Sequence, residues 1–392
     1  MKATTLAGML CLAAVLAGCT NRGVESSDFA PRDSARSIAP GESRHSTTGV
    51  YRLLYSIDQN PNDGSHPLGR LTEFHGVLYG VTSWGPGSLE NGTVFGVKTS
   101  GGEKVVCTIR DGRRPAAGLT MAQGTLYGTT QSGGRYRRGE VFAASPSCST
   151  SVLYSFHTRR DGKAPLAPLL YLDGMLYGTT FLGGDGDGTV FGVSLSGQER
   201  VLHRFKKTRV DGSKPLAGLT NVQGVLYGTT MDSSGSSNGT VYRVTFLGRE
   251  RVLYNFPANP YDAASPNSEM INVRGRLYGT TPYGGVYGSG AFYTITTSGK
   301  ERVLYSFDFD RGGAYPTGLV YGNGMFYGTT EEGGGPSNDG TIFSLTKDGV
   351  EATLYDFQDG YPGPLLYKDG VLYGATGTGG TYGQGTVFAF TP

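Results

Sequence analysis

Two charged residues, Arg70 and Glu269, occupy a place in the chain that related segments give to glycine. The residue before the Leu of a short recurring segment is Gly118, Gly218 or Gly318 in three other copies. A glutamate can act as a general acid or base, and an arginine can stabilise a developing anion. A glycosidase would need a second carboxylate, and no further copy offers one in this place. The two residues are therefore expected either to hold a polar ligand or to neutralise each other.

Aromatic residues in equivalent loops form a second group that suits a ligand. Aromatic faces beside charged groups fit sugars or aromatic molecules, although isolated exposed aromatic side chains are also common and need no function. The candidates are the only tryptophan and three tyrosines: Trp84, Tyr136, Tyr283 and Tyr287.

Charge divides the loops of the chain into two groups. Loops in the first four repeats are basic, whereas those in the last three carry acids such as Glu331 and Glu332. A field divided in this way could attract an anionic partner to one side, and ordinary solvated surface charge is the alternative. The arginines whose removal would test this idea are Arg114, Arg137 and Arg160.

Motifs of the common enzyme classes are absent from the sequence. The five histidines have no His-x-x-x-His spacing, and there is no Gly-x-Ser-x-Gly elbow, no Gly-Lys-Ser/Thr loop and no Cys-x-x-Cys pair. Recurring Asp-Gly pairs are interpreted as Asx turns rather than calcium ligands. The sequence thus predicts no catalytic residue, no metal and no cofactor.

A repeat must position these candidates. The motif Leu-Tyr-Gly-Thr-Thr, or a near copy, recurs with successive tyrosine separations of 48, 50, 50, 51, 49 and 46 residues. Such a steady period indicates one supersecondary unit used repeatedly. The motif tyrosines are Tyr79, Tyr127, Tyr177, Tyr227, Tyr278, Tyr327 and Tyr373.

Each repeat contains four short runs with the composition of strands. The runs are about five residues long, rich in β-branched and aromatic residues, and bounded by Gly, Asp or Pro. We name them a (Gly-Leu-Thr), b (Leu-Tyr-Gly-Thr-Thr), c (Thr-Val-Phe) and d (Val-Leu-Tyr-Ser-Phe). Four antiparallel strands in a repeat of this length predict an all-β propeller with seven four-stranded blades.

The two ends of the chain predict that this propeller closes on itself. The seventh copy stops after strand c, at Thr386-Val387-Phe388, whereas an extra d strand, Arg52 to Ile57, precedes the first copy. The N-terminal outer strand can therefore complete the last blade and remove the open sheet edge. In such a ring the d–a and b–c loops share one rim, and strand a, with Arg70 and Glu269, lines the central channel.

The amino-acid sequence of the repeat resembles that of a known bacterial family. The combination of Gly-x-Leu-Tyr-Gly-Thr-Thr, a Gly-Gly loop and Gly-Thr-Val-Phe is similar to the GloVer tandem-repeat proteins, and the likeness runs from Val50 to Pro392. It departs at Gly139-Glu140-Val141-Phe142 and at Gly290-Ala291-Phe292-Tyr293. The resemblance implies export and attachment to a surface, and it implies no defined activity.

The N-terminus is typical of a lipoprotein. An apolar stretch too short to span a bilayer ends in Leu16-Ala17-Gly18-Cys19, which looks like a bacterial lipobox. Residues 1–18 are predicted to be a signal peptide, Cys19 the lipidated N-terminus, 19–48 a disordered tether and 49–392 the propeller. Thr20 in place of an Asp favours the outer membrane or cell surface over retention at the inner membrane.

The net charge and the cysteine count limit the possible partners and the redox state. The formal net charge of +2 argues against a general nucleic-acid binder. Once Cys11 and Cys19 are assigned to the signal and the anchor, Cys107 and Cys148 remain in an oxidising compartment. They are expected either to form a disulfide between blades or to stay as buried thiols.

Three functions remain in competition. The first is a non-enzymatic, lipid-anchored scaffold that binds an envelope polymer or protein, such as an anionic polymer or a saccharide. The second is a carbohydrate-active propeller enzyme, a polysaccharide lyase or glycosidase, that uses Glu269. The third is a purely structural surface protein.

Overall fold

The computed structural model describes residues 44–45, 49–57, 62–86, 90–102, 104–206, 208, 210–233, 238–259 and 261–392. Its strands are short, as the β-branched and aromatic runs between glycines predict. No α-helix is found in the described ranges, and in them there is no helical stretch of the length and apolarity needed to cross a membrane. The predicted signal peptide and Cys19 lie outside these residues.

The strands follow one another in seven groups. The chain begins with β1 (Arg44–His45) and β2 (Val50–Ser56). Blade one contains β3 (Ser65–Pro67), β4 (Thr72–Phe74), β5 (Val77–Trp84), β6 (Thr93–Lys98) and β7 (Lys104–Thr108). After β8 (Gly112–Arg113), blade two contains β9 (Thr120–Ala122), β10 (Thr125–Thr130), β11 (Ser132–Gly133), β12 (Glu140–Ser145) and β13 (Ser149–Ser155). Blade three contains β14 (Leu170–Leu172), β15 (Met175–Thr180), β16 (Thr189–Ser194) and β17 (Glu199–Arg204).

The later blades repeat this order. After β18 (Gly212–Ser213), blade four contains β19 (Thr220–Val222), β20 (Val225–Thr230), β21 (Asp232–Ser233), β22 (Thr240–Thr245) and β23 (Glu250–Asn255). After β24 (Ala263–Ala264), blade five contains β25 (Ile271–Val273), β26 (Arg276–Thr281), β27 (Tyr283–Gly284), β28 (Ala291–Thr296) and β29 (Glu301–Ser306). Blade six contains β30 (Ala314–Gly322), β31 (Met325–Glu332), β32 (Thr341–Leu345) and β33 (Glu351–Asp356), and blade seven contains β34 (Leu366–Lys368), β35 (Val371–Thr376) and β36 (Thr386–Thr391).

The sheet order confirms a closed seven-bladed propeller. Each blade is an antiparallel a-b-c-d sheet, as in the order β14-β15-β16-β17 of blade three. In blade seven the order is β34-β35-β36-β2, so the N-terminal strand supplies the missing outer strand. Its register pairs Val50 with Thr391 and Ser56 with Thr386. Two blades have additions: β3 pairs with β5 in blade one, and β1, which lies in the predicted tether, runs parallel to β33 in blade six.

The glycine of the motif is required by a cross-strand ring. In every blade it lies directly opposite the Phe or Tyr of strand c, as Gly178 lies opposite Phe191 and Gly279 opposite Tyr293. A Cβ at Gly178 would lie 2.7 Å from Cζ of Phe191, closer than real Cβ atoms come to other heavy atoms. The ring packs where a side chain would be, and this close approach makes the blades thin enough to stack.

The two threonines of the motif hold neighbouring strands together. In blades two, three and six the first donates to a backbone carbonyl of the next blade, as Thr179 does to Ala217 at 3.1 Å. The second shares a hydrogen bond with a strand c threonine where that residue is present, as in Thr180 and Thr189 at 2.8 Å. Buried hydroxyls are normally hydrogen-bonded in this way, and the Thr229 hydroxyl, which has no partner among the described residues, is an exception. Both departures from the family pattern fall at the strand c position: Glu140 replaces that threonine in blade two, and Ala291 replaces it in blade five.

Short ladders bring the d–a and b–c loops together at one rim. Strand β8 of a d–a loop pairs with β11 of the following b–c loop, and β18 with β21 and β24 with β27 repeat the arrangement.

Cys107 and Cys148 form a disulfide that joins strand d of blade one to the turn before strand d of blade two, with the two Cα atoms 5.2 Å apart.

Candidate functional site

The rim over blades two and three carries exposed arginines around an aromatic ring. The Tyr136 ring is 46% exposed and lies 5.5 Å from the Arg135 guanidinium and 5.6 Å from the His157 ring. Arg137, Arg159 and Arg160 are exposed as well. In the part of the chain that the structure describes, none of these four arginines has an acidic partner. We call Arg135, Tyr136, Arg137, Arg159 and Arg160 the basic patch.

Two other predicted ligand contacts are engaged with each other. The Arg114 guanidinium lies 5.2 Å from the centre of the Trp84 ring, and Arg114 also forms an ion pair with Glu90 at 2.5 Å. Arg113 contacts the same Glu90 at 3.5 Å. The charge of Arg114 is therefore largely compensated inside the protein, unlike that of Arg137 and Arg160.

The opposite half of the rim, over blades five to seven, carries acids and tyrosines. Tyr283 and Tyr287 are 44% and 46% exposed. The Tyr283 ring packs edge-on against Tyr315, with centroids 5.7 Å apart. Burial, and then the like charge of Glu332, raises the pKa of Glu331 to about 7. The structure places Tyr283 and Tyr287 far along the ring from Tyr136 in blade order, so the predicted aromatic candidates do not form one site.

Arg70 and Glu269 meet inside the ring of strand a segments. The guanidinium of Arg70 lies 3.3 Å from Oε2 of Glu269, although the two residues belong to blades one and five. Glycine in one equivalent slot makes room for Arg70, because a Cβ at Gly118 would lie 2.7 Å from the Arg70 carbonyl oxygen. Burial raises the pKa of Glu269, and Arg70 opposes the shift. The pair is in direct contact rather than separated by a ligand-sized gap.

A buried polar cluster recurs where neighbouring blades meet. At the contact of blades two and three, the Tyr154 hydroxyl donates to Oδ2 of Asp161 at 2.8 Å and lies 3.5 Å from Oε2 of Glu199. Backbone amides also donate to Asp161, which holds the d–a loop in place. Burial, and then the charge of Asp161, raises the pKa of Glu199 to about 7. The Tyr, the Asp and the Glu come from strand d, the d–a loop and the next strand d.

The contact of blades three and four has a histidine in place of that tyrosine. His203 Nε2 lies 3.0 Å from Oδ1 of Asp211. Nitrogen and oxygen atoms of His203, Asp211 and Glu250 all lie within 4.8 Å of one another. Burial raises the pKa of Glu250 to about 7, with His203 lowering it and Asp211 raising it. Imidazole and carboxylates so close together are the donor set of a transition-metal site.

The sequence does not predict this cluster, because its members are far apart in the chain and follow no metal-site spacing. One signal was available: strand d has Tyr at this place in most repeats, and His203 is a chemical departure from it. Glu250 belongs to the next blade, so only the stacking of blades brings it to His203.

Comparisons with known proteins agree with the repeat. The family model of the Gloeobacter/Verrucomicrobia repeat matches residues 43–233 and 183–388. A comparison with curated proteins finds no match. A solved structure of a structural genomics protein of unknown function from Bacteroides thetaiotaomicron VPI-5482 is 11% identical, with a TM-score of 0.49 over 90% of this chain and 83% of that chain. The predicted resemblance is confirmed, and the chain is a propeller-type member of the Gloeobacter/Verrucomicrobia repeat family.

Proposed function

We propose that this propeller is a lipid-anchored binding scaffold of the bacterial cell envelope, and that its basic patch binds an anionic polysaccharide. The observation that carries the proposal is the set of four exposed arginines that have no acidic partner among the described residues. Unpaired cations on one side of a rim attract a polyanion over a distance of about a Debye length.

The patch also offers a surface for sugar rings. The Tyr136 ring is exposed and lies close to Arg135 and His157, so a saccharide could pack on the ring while its acidic groups reach the guanidinium groups. The acidic half of the rim repels the same polymer, which fixes the side on which it binds. The two halves together favour an oriented contact over general adhesion.

Binding of polygalacturonate and of neutral dextran to the purified chain tests the proposal. We expect polygalacturonate to bind, with an affinity that falls as salt is raised, and dextran not to bind. Arg137→Ala combined with Arg160→Ala should weaken binding roughly tenfold, since two attractive charges are lost.

The matched control removes two arginines from the opposite face. Arg249 lies in a c–d turn and Arg274 in an a–b turn, and both are exposed. Arg249→Ala combined with Arg274→Ala changes the net charge by the same amount and should leave binding within about twofold of the original. Equal losses in the two double variants, or no binding by the original protein, would contradict the proposal. Release of new reducing ends from polygalacturonate would favour an enzyme instead.

The anchor is tested separately in the producing cell. We expect the protein in the membrane fraction and Cys19→Ala in the soluble envelope fraction, because the acyl chains are attached at this cysteine in a lipoprotein. If Cys19→Ala were found in the membrane fraction in the same amount as the original protein, the lipid anchor would be contradicted. The proposal for the basic patch would not be affected.

A further inference from the structure

The cluster of His203, Asp211 and Glu250 has the dimensions of a metal site. Two donor atoms on one Zn²⁺ ion lie about 3.0–3.5 Å apart, since each metal–ligand bond is about 2.0–2.2 Å. His203 Nε2 and Asp211 Oδ1 are 3.0 Å apart. With all three donors within 4.8 Å, a shift of the Glu250 side chain by roughly one to two ångströms completes the set.

Asp211 is already held in a binding orientation. Its Oδ1 atom accepts from the amide of Gly212 at 3.0 Å and its Oδ2 atom from the amide of Lys206 at 3.1 Å. The carboxylate is therefore fixed by backbone groups that would act as an outer shell of the site. His203 and Asp211 are both mostly buried, with 18% and 10% of their side chains exposed. A rigid, shielded pair of ligands loses little freedom when an ion binds.

Two buried polar atoms beside the cluster have no described hydrogen-bond partner. The Tyr242 hydroxyl is fully buried and has no hydrogen-bond partner within the described chain. Glu250 and Asp211 are the acids close enough to raise its pKa. Oε1 of Glu250 is likewise buried without a described partner. Buried polar atoms are normally satisfied. The contact of blades four and five leaves the same two atoms, the Tyr293 hydroxyl and Oε1 of Glu301, without a described partner, so what sets the first contact apart is its imidazole.

A cleft gives an ion and its water a way in. The cleft has a volume of about 580 Å³ and is lined by Val210, Glu250 and the rest of β23. Glu250 is the member of the cluster that lines this cleft, so the cleft connects that carboxylate with solvent. Water in this cleft can fill the coordination positions that the protein leaves open.

We propose that His203, Asp211 and Glu250 bind one divalent transition-metal ion such as Zn²⁺ at the contact of blades three and four. The site pins the d–a loop after blade three to the outer strand of blade four. It stands independently of the basic patch. Among the described residues it is the one group of three such side chains within ligand distance.

Titration of the purified, tag-free full chain with Zn²⁺ after EDTA treatment tests the site. We expect one equivalent of Zn²⁺ by calorimetry and, with Co²⁺ as the probe, a visible absorption band from nitrogen and oxygen ligands. His203→Tyr should weaken Zn²⁺ binding by at least about 100-fold, since a direct ligand is lost. This variant restores the tyrosine that most other blades have at this place, so it should fold. Glu250→Gln provides a second loss of a ligand.

The control is His157→Tyr. His157 Nδ1 also lies 3.1 Å from an aspartate, Asp161, but this pair belongs to no described group of three ligands. His157→Tyr should keep both the equivalent of Zn²⁺ and the Co²⁺ band. Three results would overturn the site: no saturable uptake by the original protein at millimolar Zn²⁺, unchanged binding in His203→Tyr and Glu250→Gln, or loss of binding in all variants including His157→Tyr.

Discussion

The contact of blades three and four and the contact of blades four and five use the same positions with one different side chain. The first has His203, Asp211 and Glu250. The second has Tyr254, Asp262 and Glu301, and the Tyr254 hydroxyl donates to Oδ2 of Asp262 at 2.8 Å. Each contact also buries a strand c tyrosine hydroxyl without a described partner, Tyr242 in one and Tyr293 in the other.

This single difference changes the electrostatics of the acid that both contacts share. Burial raises the pKa of Glu301 to about 8, and the charge of Asp262 adds to the shift. Burial raises the pKa of Glu250 to about 7, and His203 opposes the shift. The repeat thus fixes the positions, and one substitution replaces a tyrosine–aspartate hydrogen bond with a histidine–aspartate pair that can bind a metal.

The largest change expected is transfer of the metal site to the second contact. Tyr254→His places an imidazole beside Asp262 and Glu301, so Zn²⁺ binding should rise from one equivalent to two. The second contact should then bind Zn²⁺ at least about 100-fold more tightly than it does with Tyr254. Calorimetric stoichiometry measures the change. A single equivalent in Tyr254→His would mean that the frame of the second contact differs in more than this side chain.

Adding a Cβ at the motif glycine, where the strand c ring packs, should destabilise both contacts to a similar extent. A Cβ at Gly228 would lie 2.6 Å from Cζ of Tyr242, and one at Gly279 would lie 2.7 Å from Cζ of Tyr293. Gly228→Ala and Gly279→Ala should each lower the free energy of unfolding by about 1–3 kcal/mol, the usual cost of overpacking. Denaturant unfolding measures it, with Gly335→Ala as the control, because a Cβ there would come no closer than 3.4 Å to another atom. No loss in either core variant would contradict the packing account.

Stability should fall with rising pH, and more through Glu301 than through Glu250. A buried carboxyl with a raised pKa keeps its proton in the folded state while the unfolded chain releases it, so folding is weakened as pH rises from the ordinary value of 4.5 to about 8 for Glu301. Glu301→Gln removes this loss, and Glu250→Gln removes a smaller one that ends near pH 7. Unfolding free energies measured in EDTA between pH 5 and 9 test the order. A pH profile unchanged by Glu301→Gln would be evidence against the raised pKa.

The smallest effect concerns the two buried hydroxyls. Tyr242→Phe and Tyr293→Phe leave the ring in place and remove a polar atom that has no described partner, so each should raise the free energy of unfolding by about 1 kcal/mol in EDTA. Thermal unfolding in EDTA measures it. A loss of stability in Tyr242→Phe alone would show that its hydroxyl contacts something that Tyr293 lacks.

Some of these features were open to sequence reasoning and others were not. The surplus strand near Leu53 and the missing strand after Phe388 predicted ring closure, because a propeller cannot leave one sheet edge unpaired. The equivalence of Arg70 and Glu269 followed from alignment of the repeats. Their contact at 3.3 Å did not, since it depends on how narrow the ring is and on which way each side chain turns.

The amino-acid sequence by itself determined the strands, the number of blades, the closing strand and the rim that carries the variable loops, because these follow from period and pattern along the chain. Only the tertiary structure decided which side chains of different blades meet. It joined Arg114 to Trp84 and Glu90, left Arg137 and Arg160 exposed, and brought His203 to Glu250. Contacts between blades depend on the stacking angle and on side-chain direction, and neither is written in the spacing of residues.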